Sequence, residues 1–242
     1  NGSASGSVIA ALGGDLRIRV WDARTRAALG RPLGSGTATA EAVGPGGDIV
    51  AVGARDGSVT LFDPRTSRPL GAPFVGHTGY VDGLAFSPDG RLLAAAGDAR
   101  RGHNVRIWDV ADRTPRSPEI AFKDRTPVYS ALTFSPGGNS LAVAGIDGRV
   151  LIWDVRERRQ AGRSFVGDRE VVTAMAYNRD GRVLATAGGS GAITLWDART
   201  HQRLVRLGAD LSSQNTGLTF SRGGELLASG AADGSIRVWD MR

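Results

Sequence analysis

Short apolar runs of several kinds alternate along this chain of 242 residues. In LAFSPDG and LTFSPGG apolar positions alternate with small or polar ones and then stop at a turn, where Pro presets φ and Gly supplies a positive φ. LLAAAG, LAVAG, VLATAG and LLASG are compact apolar runs of strand length. A DG-type pair follows most of them, the composition of a tight hairpin. VRIW and RVW alternate again, with Val, Ile and Trp suited to a pleated, half-buried surface. A more polar run comes next, as in SRPLGAPFVG at 67–76, and reads as an outer fourth strand. Helical periodicity is missing, and the 35 glycines recur too often for long helices.

The pattern is periodic. Asp22, Asp63, Asp109, Asp154, Asp197 and Asp240 each follow an aromatic residue at the end of an alternating run, at intervals of 41, 46, 45, 43 and 43. Upstream of them recur GPGG at 44–47, SPDG at 87–90, SPGG at 135–138, NRDG at 178–181 and SRGG at 221–224. Between these elements stand RDG at 55–57, IDG at 146–148, GSG at 189–191 and ADG at 232–234.

Five Trp-Asp copies and one Phe-Asp, all in register with the turn motifs, resemble the WD-repeat β-propeller family over essentially the whole chain. The resemblance implies an all-β propeller of four-stranded antiparallel blades with six recognisable repeats, as a single domain over residues 1–242. One such repeat cannot bury its sheet faces alone, so blades pack side by side around an axis. The chain begins inside a repeat and stops at WDMR, directly after a third strand. The first blade is therefore expected to lack its innermost strand and the last its outer one. A fragment of a larger ring, often seven-bladed in this family, is the expectation, with an irregular closure by the termini as the alternative.

Charge adds a rival reading. The net charge is +6, with Lys123 the only lysine. Such an excess suits nucleic acid or another anionic ligand. The arginines are nevertheless spread and never form a block, and abundant Ala, Gly and Arg look like a bacterial-type composition bias. Bacterial proteins of similar composition often join such propellers to a signalling or ATPase module. No apolar run approaches the about eighteen residues of a membrane helix. NGSASGSVIAALGG lacks the basic start of a signal peptide. Cysteine is absent, which fits either side of a membrane; the cytoplasm is the expected compartment.

Catalytic signatures are missing. His77, His103 and His201 share no metal-ligand spacing, and neither HxH nor HExxH occurs. GxSxG is absent, and without Cys there is no thiolate nucleophile. GSGTATAEAVGPGG lacks the Lys-Ser/Thr of a phosphate loop. No enzyme, cofactor or metal is expected. Carboxylates converging in a central channel are the residual enzyme reading.

The family resemblance implies a network of His, Ser or Thr, Asp and Trp inside each blade. His77 and Trp108 fit it in the third blade, but Ala94 is read at the hydroxyl position. In the fifth, Thr186 and Trp196 are joined by Ser190 at the Asp position and Asp168 at the His position. In the sixth, Ser229, Asp233 and Trp239 fit, with Ala209 at the His position. Asp15, Asp56, Asp98, Asp147 and Trp153 are likewise read as structural. For His77 this structural reading outweighs chemistry.

Partner recognition should use positions that differ between blades on a shared face. The resemblance places these at the starts of first strands, Tyr80 and Asp82, Val128 and Ser130, Val171 and Thr173, Gln214 and Thr216. Hairpin positions Arg55, Ile146 and Ala232 join them. The third repeat also carries DARRGHN at 98–104, four residues longer than its sisters, with Arg100, Arg101 and His103. A lengthened loop often marks a binding face, and an Arg pair can hold a carboxylate or phosphate. The expected function is a protein- or peptide-binding scaffold that assembles a complex. A nucleic-acid or anion platform is the alternative.

Overall fold

A computed structural model describes residues 2–5, 8–75, 77, 79–97, 105–116, 120, 129–208 and 213–242. It is all-β: among the described residues there is no helix, and the strands form six antiparallel sheets, one per repeat. Two compact units divide the chain, Asn1–Val128 and Tyr129–Arg242.

In the first unit, blade one holds β1 (Gly2–Ser5), β2 (Val8–Leu12), β3 (Ile18–Asp22) and β4 (Ala28–Leu33). Blade two holds β5 (Ala38–Val43), β6 (Val50–Ala54) and β7 (Val59–Phe62). Blade three holds β8 (Val81–Phe86), β9 (Leu92–Gly97) and β10 (Val105–Asp109). In the second unit, blade four holds β11 (Tyr129–Phe134), β12 (Ser140–Gly145), β13 (Arg149–Asp154), β14 (Arg159–Gln160) and β15 (Phe165–Val166). Blade five holds β16 (Val172–Tyr177), β17 (Val183–Gly188), β18 (Ile193–Asp197) and β19 (Arg203–Leu207). Blade six holds β20 (Asn215–Phe220), β21 (Leu226–Ala231) and β22 (Ile236–Asp240). Strands run in chain order across each blade. Hairpins between second and third strands therefore lie at one end of the sheet, and the remaining turns lie at the other.

Two expectations are corrected. The first blade does have an inner strand, because Gly2–Ser5 pairs antiparallel with β2 in the register Gly2↔Ala11 to Ser5↔Val8. In blade two the outer run is not a continuous strand and meets the third strand at the bridges Val59↔Phe74 and Phe62↔Pro69. Pro69 and Pro73 have no N–H to donate, and Gly71 takes a φ of 80°, so the ladder cannot run through. In blade three the described residues of the outer run meet the third strand at Val105↔Ile120 and Trp108↔Pro115.

Packing runs from sheet to sheet within each unit. Blades one and two share a core of Ile18, Val20, Leu33, Val50 and Val52, and blades two and three share Leu61, Phe74, Leu93 and Trp108. Blade four meets blade five through Ile152, Val172 and Leu184, and blade five meets blade six through Leu195 and Leu227. Second strands are lined by fully buried Ala94, Ala95, Ala96, Ala142, Ala144, Ala185 and Ala187, whose small size lets sheets approach closely. Two aromatic pairs recur in equivalent places, Phe74 with Trp108 at 5.7 Å and Phe165 with Trp196 at 4.6 Å. Each joins a third-strand Trp to the outer segment of the blade before it.

The aspartate after each aromatic closes a turn. Asp22 Oδ1 accepts from the amides of Arg24 and Thr25 at 2.9 and 2.7 Å. Asp63, Asp154 and Asp197 repeat this geometry, each accepting two amides. Asp109 also takes the Arg116 guanidinium at 2.6 Å, which lowers its carboxyl to about 2.

Glu41 breaks the pattern. By register it stands where Leu84, Leu132, Met175 and Leu218 stand in other blades, and it is only 8% exposed. Its Oε2 has no hydrogen-bond partner, and burial pushes its carboxyl above the ordinary range. Because the raised value favours the protonated folded form, its penalty is greatest above that value and fades on acidification. Replacing Glu41 by Leu should raise the unfolding free energy at about pH 7.5 by about 1–2 kcal/mol, and the gain should shrink toward about pH 5. Urea titrations of both proteins at the two pH values check this; no gain, or a gain that grows on acidification, contradicts it.

Candidate binding face

The hairpin end of the blades is assembled from backbone ties between consecutive repeats. The Ala38 amide donates to the Leu16 carbonyl at 3.1 Å, tying the first hairpin to the start of blade two. The Gly167 and Asp168 amides both donate to the Gly148 carbonyl, at 2.8 and 3.2 Å. Gly148 has a φ of 77°, and a Cβ there would collide with the carbonyls of Asp168 and Glu170, so only glycine fits. Asn215, fully buried where sister blades have Val81 and Val172, donates its Nδ2 to the Gly191 carbonyl at 2.7 Å.

Below these ties lie remnants of the side-chain network. In blade five, Trp196 Nε1 donates to Thr186 Oγ1 at 3.0 Å, and Thr186 donates to the Gly167 carbonyl at 2.7 Å. Ser190 Oγ donates to Asp168 Oδ2 at 2.6 Å. An aspartate thus stands at the His position and a serine at the Asp position, and a backbone carbonyl receives the Thr proton in place of an imidazole. In blade three, His77 is buried with its ring edge-on to Trp108 at 5.7 Å. Strand register corrects one assignment. Trp196 pairs with Leu184 and Trp108 with Leu93, so the counterpart of Thr186 is Ala95, two positions on, and not Ala94. In blade four the same register puts Val143 there, and Trp153 Nε1 has no partner. In blade six, Trp239 Nε1 reaches Ser229 Oγ at 3.5 Å. Asp233 accepts the Ser235 amide at 2.8 Å, Asp56 takes the Ser58 hydroxyl at 2.7 Å, and Asp147 accepts the Arg149 amide at 3.2 Å.

In blades two to six the second position of the first strand is a β-bulge. Register shifts fall between Ala38 and Ala40, Val81 and Gly83, Tyr129 and Ala131, Val172 and Ala174, and Asn215 and Gly217. The extra residues are thus Thr39, Asp82, Ser130, Thr173 and Thr216. Bulges lift a residue out of the ladder and re-aim it. Asp82 and Thr216 are exposed. Thr39 and Thr173 serve the scaffold instead. The Thr39 hydroxyl donates to the Val81 carbonyl at 2.6 Å, and that of Thr173 donates to the Asn215 carbonyl. Each stitches the first strands of adjacent blades. Sequence reasoning missed Thr39, although it lies one repeat's spacing from the residue it bonds.

 That spacing is the readable sign: Thr39 and Val81, like Thr173 and Asn215, are 42 residues apart, about one repeat.

The candidate contact residues fall as follows. In the first unit, Arg55 on the hairpin of blade two is exposed, and its guanidinium lies 5.9 Å above the ring of Tyr80 at the start of blade three. Tyr80 is 49% exposed, and Asp82 is two residues on. In the second unit, Ile146 is 51% exposed on the hairpin of blade four. Val171 is half-buried, and Gln214 and Ala232 are exposed. Ser130 lies in β11. Arg100, Arg101, His103, Val128 and Asp98 lie outside the described residues. Among the described residues, no three His, Asp or Glu side chains gather as a metal site requires, and no helix is long and apolar enough to cross a membrane.

Repeated blades tied at one end, with side chains that vary from blade to blade, define a repeat-built β platform. Residues 68–109, 121–154, 160–197 and 213–240, more than half of the chain, match the family described as WD domain, G-beta repeat, and the chain belongs to that family. The Periodic tryptophan protein 2 homolog of Schizosaccharomyces pombe is 32% identical over 123 residues, 49% of this chain and 13% of that protein. The Small ribosomal subunit protein RACK1y of Oryza sativa subsp. japonica is 30% identical over 147 residues, 58% of this chain and 42% of that protein. The 66 kDa stress protein of Physarum polycephalum is 28% identical over 157 residues, 62% of this chain and 25% of that protein. The chain spans less than half the length of each of these relatives.

The blade-five network gives a stability prediction. Thr186→Val leaves both the Trp196 indole N–H and the Gly167 carbonyl without their side-chain partner in a buried site. It should lower the unfolding free energy by about 2 kcal/mol. Denaturant titration checks this, and a loss below about 0.5 kcal/mol contradicts the network's role.

Proposed function

We propose that the chain is a non-catalytic platform that binds a protein or peptide partner at the hairpin end of its blades. It would do so as the propeller part of a larger regulatory or signalling protein, in the cytoplasm. The observation that carries this reading is the exposed Arg55–Tyr80 pair beside Asp82. Tyr and Arg are the residues that most often dominate binding energy at protein interfaces. A guanidinium held over a ring is already ordered, so less freedom is lost on docking. Ile146 supplies an apolar contact and Gln214 a polar one at the corresponding end of the second unit. The Small ribosomal subunit protein RACK1y is by its name part of an assembly, which supports a scaffold role. The bacterial-type composition supports an attached effector module, whereas the relatives above are a fission yeast, a plant and a slime mould protein.

An anionic partner is the second reading, favoured by the net charge of +6. Binding to DNA or RNA that falls steeply with salt would support it.

The test uses the chain as bait, in wild-type form and as the triple variant Arg55→Ala, Tyr80→Ala, Asp82→Ala. Recovery of specific partners should fall by about tenfold with an unchanged melting curve. Equal recovery would contradict the proposed face.

A further inference from the structure

Blades four and five also form a groove of about 970 Å³, at the end of the sheets opposite the hairpins. Its walls are the turn before β12, the turn before β17, the turn after β18 and the segment between β14 and β15.

One wall is fixed by a device that recurs along the chain. Arg26, Ser67, Arg113, Arg158 and His201, each just after an Asp-closed turn, all have φ between 53° and 61°. This left-handed backbone turns the side chain away from its own blade. Three of them reach the outer segment of the preceding blade. Ser67 accepts the Arg31 amide at 2.6 Å and donates to the Arg31 carbonyl at 2.9 Å. Arg113 donates to the carbonyls of Leu70 and Ala72. His201 Nδ1 lies 3.3 Å from the Arg163 carbonyl, with its ring 5.2 Å from that of Phe165. The His201 clasp holds the groove's opening in place before any ligand arrives.

The chemistry inside is mixed. Arg163, Arg182 and Arg199 are exposed on the rim. Among the described residues Arg163 and Arg199 make no ion pair, and Arg182 has only a 3.9 Å contact with Asp180. The Asp197 carboxylate is occupied by the amides of Arg199 and Thr200. Phe165 and Tyr177 form an apolar floor, and Asn139, Ser164 and Thr200 offer hydrogen bonds along the walls.

We propose that this groove binds an extended acidic peptide, with carboxylates on Arg163 and Arg199 and an apolar side chain against Phe165 and Tyr177. Guanidinium groups without internal partners are matched to carboxylates by geometry and charge. A single small anion would leave most of the groove empty, since a volume of this order suits a drug-sized ligand or a short peptide segment. A nucleic-acid strand brings a phosphate at every step and would set some of them beside Asp180 and Asp197, whereas a peptide of alternating acidic and apolar residues can place its apolar side chains there. The proposal is independent of the hairpin-end face.

A fluorescein-labelled peptide of alternating glutamate and leucine is the probe, with fluorescence anisotropy as readout. The wild-type chain should bind it with an affinity that falls as salt rises. Arg163→Glu with Arg199→Glu should weaken binding by at least about tenfold, while the thermal melt stays unchanged. Tyr80→Ala should leave it unchanged, which separates this groove from the hairpin end. A peptide with glutamine in place of glutamate should bind at least about tenfold more weakly than the probe. The proposal is overturned if charge reversal changes affinity less than about twofold in a folded variant. It is equally overturned if the wild-type chain does not bind the probe, or if an oligothymidylate displaces it at lower concentration than the unlabelled peptide.

Discussion

A three- or four-stranded sheet has two faces and no interior, so everything in this protein depends on covering each blade with its neighbour. The alanines of the second strands make that possible. Ala142, Ala144, Ala185 and Ala187 are fully buried and leave no side chain long enough to hold adjacent sheets apart. Larger groups then pack from the outer segment of one blade onto the next, as Phe165 and Trp196 do in the second unit and Phe74 and Trp108 in the first. Dispersion contacts and apolar burial of this kind are the main stabilising term.

Polar groups work on the margins of that packing. Among the described residues the side-chain network of the family is most complete in blade five, in rewired form, with Asp168 at the His position, Ser190 at the Asp position and the Gly167 carbonyl accepting the Thr186 proton in place of an imidazole. Blade six keeps the Trp239–Ser229 contact. Elsewhere backbone ties from one hairpin to the next blade, and the Thr39 and Thr173 stitches, do the connecting. Because these bonds lie beneath the hairpin end, residues above them are free to vary. That is why Tyr80 differs from its counterpart Val171, and Arg55 from Ile146 and Ala232, while the glycines and aspartates of the turns repeat.

The blades were legible in the sequence because alternation, turn residues and the Trp-Asp period all act locally. Trp108, Trp153 and Trp196 lie in third strands, and the small-residue runs form second strands. What escaped was set between repeats. The inner strand Gly2–Ser5 carries no alternating pattern, since it is built of Gly, Ser and Ala. The broken outer run of blade two depends on where Pro69 and Pro73 fall relative to the third strand. The left-handed backbone of Ser67 and Arg113 has no compositional sign, because neither is Gly, Asn, Asp or His. Register also decided between Ala94 and Ala95, which composition cannot distinguish. At the candidate sites, the varied positions could be named from the repeat, but the pairing of Arg55 with Tyr80 and the groove around Arg163 needed coordinates.

The central claim is that packing between blades, and not the side-chain network, carries stability. Native-state hydrogen exchange tests it most directly. Amides of the second strands in blades two, three and four should open with free energies close to that of blade five, although among the described residues a Trp–Thr–carbonyl relay is kept by blade five alone. Strong protection confined to blade five, with low-energy local opening of the others, would contradict the account.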